Sequence, residues 1–367
     1  MINCIYCNNP ISEKVLLDLG PQAPANALCH SPHEPEILYP LLLVYCQRCD
    51  LYQRGVIQHQ EIPLFNQSYP YRTRVNQGYL KQCLMHHQRD REDFGLDPKQ
   101  HKILEIGCND ASNLEFWFSQ GYSVCGYEPC FHESMNEKMS KYIISTPFHC
   151  QAPLDYDYIY AYNVIAHIFH LQDFISDIAK SLKKQGILVI ECPLFEELCR
   201  LGAWDTIYHE HFAYFTMRSL YKIFAKHGLY IFRMNPLKSH GGSIRAYFSK
   251  EKRTLEPTLR PDTDHLQAVF DRDRQQLPER MQAYKYPAFG AAAKGITLLN
   301  TLGIKADTIP YCIDETPEKQ GKYMPMSKIP ILGKEVFKNG QRYFNLAWNH
   351  QEEISKKYPE QIFIPIR

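Results

Sequence analysis

Short apolar runs alternate with amphipathic stretches through the middle of the chain. The run Lys-Ile-Leu-Glu-Ile at 102–106 predicts a strand, and the small residues after it a turn. The spacing of Leu114, Phe116, Trp117 and Phe118 then predicts a helix. A second strand is predicted over 122–128, ending in an acid, Glu128. Residues 156–163 read as a strand, 171–182 as an amphipathic helix, 186–192 as a strand and 220–227 as a helix. Repeating strand and helix at this spacing predicts a mostly parallel, doubly wound sheet with ligands at the carboxyl ends of its strands. The rhythm resumes near the end, with a strand-like run at 288–293, a helix at 296–302 and a strand at 309–314. Ahead of these, residues 37–45 read as part of a strand-rich insert.

The chain has 367 residues, against a usual domain of about 150, so two or three domains are expected. Lys plus Arg is 41 and Asp plus Glu is 40, which leaves no basic footprint for nucleic acid or an acidic membrane. The longest apolar run, 39–46, is far below the ~18 residues that span a bilayer, and it contains Pro40. The start of the chain has neither a basic nor an apolar signal segment, so a cytoplasmic location is expected.

Thirteen cysteines in such a chain should be reduced thiols, and most of them read as small core residues. Four differ. Cys4 and Cys7, then Cys46 and Cys49, form two Cys-x-x-Cys pairs, the spacing at which one turn offers two thiolates to the same ion. Together they predict a tetrahedral zinc site, with a redox pair or chance as the competing readings. Four thiolates leave no open coordination position, so such a zinc would be structural.

The turn after 106 contains Gly107, where the backbone can approach a ligand closely, followed by Asn109 and Asp110. An acid at the tip of the second strand is the usual acceptor for ribose hydroxyls, and Glu128 lies 23 positions after Glu105. No Gly-x-Gly-x-x-Gly is present, so S-adenosylmethionine is expected rather than a dinucleotide. Asn163 and His167 follow a strand end. Tyr208, His209, Glu210 and His211 fall on a predicted loop, where ionisable residues suit acid–base chemistry, although a solvated loop has the same look. Lys294, after small residues and at a helix start, fits a diphosphate cradle or a surface lysine.

These pieces resemble the sugar C-methyltransferases, which methylate a carbon of a thymidine-diphosphate keto-deoxysugar. The matching segments run along essentially the whole chain. They are the cysteine pairs, Leu-Gly-Pro-Gln-Ala-Pro-Ala-Asn at 19–26, Tyr-Pro-Tyr at 69–71, Glu-Ile-Gly-Cys-Asn-Asp at 105–110 and Tyr-Glu-Pro at 127–129. Asn-Val-Ile-Ala-His at 163–167, Asp-Thr-Ile-Tyr-His-Glu-His at 205–211, Ser-His-Gly-Gly-Ser-Ile-Arg at 239–245, Ala-Ala-Ala-Lys-Gly at 291–295 and Leu-Ala-Trp-Asn at 346–349 follow in order. Ala111 departs from the glycine usual in that family, where its methyl would crowd the cofactor.

The resemblance implies a zinc-binding module at 1–75, a Rossmann-like methyltransferase domain at 76–250 and a Rossmann-like nucleotide-sugar domain at 251–367. It implies S-adenosylmethionine held by Glu105, Gly107, Asn109, Asp110, Glu128 and Asn163. The substrate would meet His240, Gly241, Gly242, Ser243, Arg245, Lys294 and Asn300. His211 is then the expected base. Tyr208, His167 and one of Tyr69 or Tyr71 would face the enolate oxygen, and Glu210 would set the His211 tautomer or bind a sugar hydroxyl. The expected partner is a nucleotide-diphosphate keto-sugar, with no nucleic acid and no membrane, in a monomer or small homo-oligomer. A zinc-containing RNA methyltransferase and a non-catalytic nucleotide-binding homologue are the other classes considered.

Overall fold

The computed structural model describes residues 2–11, 15–55, 72–150, 155–237, 241–253 and 257–366. Tyr69, Tyr71 and His240 lie outside the described residues.

At the amino end a small hairpin, β1 (Ile2–Asn3) with β2 (Pro10–Ile11), precedes three antiparallel strands, β3 (Leu17–Gln22), β4 (Tyr39–Cys46) and β5 (Leu51–Arg54). The helix α1 (Gln77–Asp93) leads into the central unit. There the order is β6 (Lys102–Ile106), α2 (Ser112–Ser119), β7 (Ser123–Tyr127), β8 (Ile143–Ile144), β9 (Tyr156–Tyr162), α3 (Leu171–Ser181) and β10 (Leu182–Pro193). An excursion follows, with α4 (Phe195–Arg200) and β11 (Ala213–Tyr214), and then α5 (Met217–Ala225), β12 (Tyr230–Leu237) and β13 (Ser243–Ser249). The last unit is α6 (Thr263–Tyr284), β14 (Ala288–Phe289), α7 (Ala293–Thr301), β15 (Cys312–Ile313), β16 (Ile331–Leu332), β17 (Arg342–Asn345), α8 (Gln351–Lys357) and β18 (Ile362–Pro365).

The central sheet has the order β12-β13-β10-β9-β6-β7-β8, parallel from β10 to β8, with β13 antiparallel to both β10 and β12. The first strand, β6, therefore sits in the interior, and the winding reverses between β6 and β9. Such a reversal opens a crevice at the carboxyl ends of those two strands. The strands are buried on both faces, which is why they read as continuous apolar runs. Helix α3 covers the sheet with Leu171, Phe174, Ile175 and Ile178, the i, i+3, i+4, i+7 stripe of an amphipathic helix. Helix α5 begins three residues before its predicted start, at a Thr216–Ser219 capping box that satisfies two otherwise orphaned amides.

The second sheet, β16-β15-β14-β17-β18, is wholly parallel and reverses between β14 and β17. Its strands are shorter than expected. The predicted strand at 288–293 stops at Phe289, because Gly290 turns at φ +85. That at 309–314 shrinks to β15, where Pro310 offers no amide to a ladder.

The amino-terminal sheet takes its fourth strand from the central excursion: β11 pairs antiparallel with β5, Ala213 opposite Gln53 and Tyr214 opposite Tyr52. Its apolar side joins the same core as Phe195 and Trp204 of the excursion and Phe344 of the last sheet. Among the described residues, no helix is long and apolar enough to cross a membrane.

Candidate active site

The crevice of the central sheet is built from the loop after β6. Gly107 has φ +72, and a Cβ there would lie 2.3 Å from Cγ2 of Val164, so only glycine lets the loops after β6 and β9 close on each other. Glu128 is buried and accepts the Asn109 amide on Oε2 and the Cys130 amide on Oε1, each at 2.9 Å. The acid thus locks the loop while each oxygen keeps a lone pair. Asn109 and Asp110 turn toward the segment before α1. Asn109 Oδ1 accepts the Thr73 amide at 3.0 Å, and Asp110 Oδ2 accepts the Arg74 amide at 2.9 Å. Glu105 lies beneath the crevice rather than in it. It takes the Tyr160 hydroxyl at 2.9 Å, and burial pushes its carboxyl well above the usual range. Ala111 has φ +59, and its methyl packs with Leu114 and Met139 in the core. It therefore does not crowd the crevice as expected. A cavity of about 410 Å³ opens beside Asp110, lined also by Arg72, Arg74, His132, Ser134, Met135 and Glu318 of the last unit.

The structure brings Tyr208, His211 and His167 together, while His209 turns to the Tyr39 carbonyl at 3.2 Å. Tyr208 Oη lies 2.9 Å from His211 Nε2, and His211 Nδ1 lies 3.2 Å from the Thr206 carbonyl. A carbonyl only accepts, so Nδ1 carries the proton and Nε2 is the basic nitrogen. The tautomer is set by Thr206, not by Glu210. Glu210 instead accepts the Asn26 amide at 2.9 Å, and burial raises its carboxyl pKa. Oε2 of Glu210 is buried with no partner among the described residues. The His167 ring stands 4.8 Å from that of His211. Its Nδ1 donates to the Glu210 carbonyl at 2.6 Å, and burial lowers its pKa to about 4. A neutral imidazole with that proton committed has no second proton to donate, which does not suit the expected place of His167 as a donor at the enolate oxygen.

The excursion between α4 and α5 carries Tyr208 and His211, and β11 straps it to the amino-terminal module. Arg54 of β5 donates its amide to Phe212 O at 3.0 Å and stacks its guanidinium over the Phe212 ring, 4.5 Å from the centroid. The module's turn between β4 and β5 is the Cys46–Cys49 knuckle. One ligand atom from each of Cys4, Cys7, Cys46 and Cys49 lies within 4.8 Å of every other. Four thiols that close in a mostly buried place are a donor set fit for a tetrahedral zinc.

On the other side stands the last sheet. Trp348 Nε1 donates to Asp205 Oδ2 at 2.7 Å, tying the loop after β17 to the loop that bears Tyr208. The Lys294 ammonium lies 4.8 Å from the centre of the Trp348 ring and donates to Asn349 Oδ1 at 2.7 Å. Gly241 faces the same ring, 3.3 Å from an ideal Cβ, and Gly242 packs on Glu197. Asn300 has both amide atoms buried without partners among the described residues. Ser243 is buried in β13, opposite Pro193. Arg245 was expected at the substrate, and the structure corrects that. Its side chain is fully buried, with the guanidinium bonded to Glu191, Asp90 and the Tyr247 hydroxyl, so no face remains for a diphosphate. Asp205 and Trp348 fall inside segments quoted for the resemblance, at 205–211 and 346–349, but had no role assigned there, and Arg54 of β5 is a contact that motif reading missed.

Comparisons with known proteins bear on this arrangement. Residues 80–233 match the family described as a methyltransferase domain. Residues 279–362 match the family described as the C-methyltransferase C-terminal domain. The C-methyltransferase NovU of Streptomyces niveus is 27% identical over 357 residues, covering 87% of this chain and 83% of the relative. The 1,6-didemethyltoxoflavin-N1-methyltransferase of Burkholderia thailandensis, solved with S-adenosylhomocysteine, aligns with a TM-score of 0.38 at 11% identity. That alignment covers 47% of this chain and 79% of that one. Magnesium protoporphyrin IX methyltransferase of Synechocystis PCC 6803, also with bound S-adenosylhomocysteine, aligns at 0.38 and 16% identity over 47% of this chain and 83% of that one.

Proposed function

We propose that the chain is an S-adenosylmethionine-dependent C-methyltransferase whose acceptor is a carbon alpha to the ketone of a nucleotide-activated keto-deoxysugar, with a thymidine diphosphate as the first candidate. The observation that carries this reading is the Tyr208–His211 pair with its fixed tautomer, beside the cofactor crevice and across from Trp348 and Lys294. A carbon is not nucleophilic until it loses a proton, so a carbon methyltransferase needs a base and a partner for the enolate oxygen.

With S-adenosylmethionine bound, its sulfonium methyl is the electrophile. Glu128 and the Gly107 loop would hold its nucleoside, and Asn163 its other end. His211 Nε2 takes the alpha proton. The resulting imidazolium donates back to Tyr208 Oη, which frees the tyrosine proton for the enolate oxygen. The buried Oε2 of Glu210 accepts from a sugar hydroxyl, and the His167 ring stands beside that of His211. Lys294, Trp348, Gly241 and Gly242 would take the nucleotide end, and the unpartnered Asn300 amide is carried on the same helix as Lys294. Cys4, Cys7, Cys46 and Cys49 would hold a zinc that fixes the β4–β5 turn and so, through β5 and β11, the loop that bears the base. The units at 1–75, 76–250 and 251–367 divide the work accordingly, with β11 lent across the first boundary.

The test is solvent exchange. Enzyme and a panel of keto-sugar nucleotides in heavy water should exchange the alpha hydrogen without S-adenosylmethionine, and should gain one methyl mass with it. A panel that neither exchanges nor gains mass overturns the sugar reading. Metal analysis should find one zinc per chain, and Cys46→Ser should lose both the metal and thermal stability, since binding energy in a structural site is folding energy.

A further inference from the structure

Asn163 closes β9 in the left-handed region, φ +57, next to Val164 and so beside the Gly107 loop. Its Nδ2 donates to the Tyr79 hydroxyl at 2.8 Å, while its Oδ1 is buried with no partner among the described residues. Tyr79 comes from α1, outside the strand–turn–helix motif, and its hydroxyl lies 3.5 Å from Glu191 Oε2. Burial alone would raise the Glu191 carboxyl, but Arg245 and His86 outweigh it and hold it below the usual range. The ionised carboxylate can only accept, and a tyrosine has one proton to give. Tyr79 therefore donates toward Glu191, and its oxygen accepts from Asn163. That order fixes the amide, with its NH2 on Tyr79 and its carbonyl oxygen on the other side. Arg245, buried between Glu191 and Asp90, anchors the far end of the chain of bonds.

We propose that Tyr79 is a positioning residue for the methyl donor: it orients the Asn163 amide so that Oδ1 is an acceptor for the ammonium group of S-adenosylmethionine. The choice of the ammonium over the ribose follows from the sheet. Glu128 ends β7, on the far side of β6 from β9. Two strand spacings, about 10 Å, separate the two ends. An acid at Glu128 takes the ribose, which leaves the amino-acid end for Asn163. The inference rests on the cofactor reading above and deepens it.

Calorimetry with two ligands tests it. S-adenosylhomocysteine carries the ammonium, and 5′-methylthioadenosine keeps the nucleoside without it. Tyr79→Phe should bind S-adenosylhomocysteine about tenfold more weakly, the worth of one hydrogen bond, and bind methylthioadenosine as the wild type does. Its melting temperature should hold. Asn163→Gly, which keeps the positive φ, should show the same selective loss, and adding Tyr79→Phe to it should change nothing further. Wild-type affinity in Tyr79→Phe, equal losses for both ligands, or additive effects in the double variant would overturn the positioning role. If Tyr79→Phe does not fold, the two-ligand comparison on Asn163→Gly decides, and equal losses there overturn the proposal. A wild-type protein that binds methylthioadenosine but not S-adenosylhomocysteine removes the ammonium contact alone. One that binds neither overturns the cofactor reading and this proposal with it.

Discussion

The central and carboxy-terminal sheets are wound alike. Each puts its first strand inside and reverses beside it, between β6 and β9 in one and between β14 and β17 in the other. Each follows that strand with a glycine at positive φ, Gly107 at +72 and Gly290 at +85. A Cβ on either glycine would press on the loop after the fourth strand, 2.3 Å from Val164 and 3.0 Å from Ala347. Each ends its second strand in an acid that accepts an amide of the first loop. Asn109 donates to Glu128 at 2.9 Å, and Ala291 to Asp314 at 2.8 Å. The two then part. Asp314 accepts the Thr316 amide as Glu128 accepts that of Cys130, but it is further engaged by Lys319, and the start of α7 and the loop after β17 present Lys294 and Trp348 beside it. The central crevice instead receives an excursion after β10 that brings in Tyr208 and His211. Winding makes two crevices of one kind, and what is inserted beside each sets them apart, a tyrosine–histidine pair at one and a lysine on a tryptophan at the other.

The largest expected difference separates the chemistry from the binding. His211→Ala should lose both alpha-hydrogen exchange and methylation by roughly 10²–10⁴-fold, the worth of a general base. Lys294→Ala should raise the KM for the nucleotide sugar about tenfold and leave exchange at saturation within a few-fold, as expected for a charge that only binds substrate. The readout is kcat and KM for exchange, measured by mass spectrometry. If Lys294→Ala slows saturated exchange as much as His211→Ala does, the division between the sheets is wrong.

Next in size is the pair of acids. Glu128→Ala should weaken S-adenosylhomocysteine by about 1.5–3 kcal/mol, the worth of hydrogen bonds to a charged group. Asp314→Ala should leave that affinity alone, because Asp314 belongs to the other crevice. Calorimetry on both variants checks it, and a loss in Asp314→Ala equal to that in Glu128→Ala would erase the distinction.

How much of this was legible follows from where the information lies. The strands β6, β9 and β10 and the helices α2 and α3 announce themselves because each carries its own period over five residues or more. The strands β14 and β15 are two residues each and are specified by neighbours that the local pattern does not contain. The same holds at the site. Tyr208 and His211 are three apart, so a motif holds them together, and the structure did so at 2.9 Å. Arg245 was expected at the substrate because it ends a segment that carries the resemblance, Ser-His-Gly-Gly-Ser-Ile-Arg. Its partners, Asp90 and Glu191, are 155 and 54 positions away and lie outside it. Glu210 sits next to His211 in the chain, yet the Thr206 carbonyl fixes the ring, since adjacent residues on a turn point apart. Tyr79 and Asn163, 84 positions apart, share no motif at all.

The smallest effect concerns the residues that start the two loop helices. Ala111 caps α2 with φ +59, whereas Ala292 caps α7 with an extended φ of −79. A left-handed residue with a Cβ costs roughly 1–2 kcal/mol, and glycine removes that cost. Against this, Ala111→Gly gives up about 0.8 kcal/mol of buried methyl, because Ala111 is fully enclosed with Leu114 and Met139. It also adds about 0.4–1 kcal/mol of unfolded-chain entropy. The terms nearly cancel, so Ala111→Gly should melt within a degree or two of wild type. Ala292→Gly has no strain to relieve and keeps the entropy loss, so it should melt lower by the equivalent of about 0.5–1 kcal/mol. Differential scanning calorimetry on the pair reads the sign directly. If Ala111→Gly is the less stable of the two, the left-handed cap is not strained, and the loops after β6 and β14 are energetically alike as well as alike in winding.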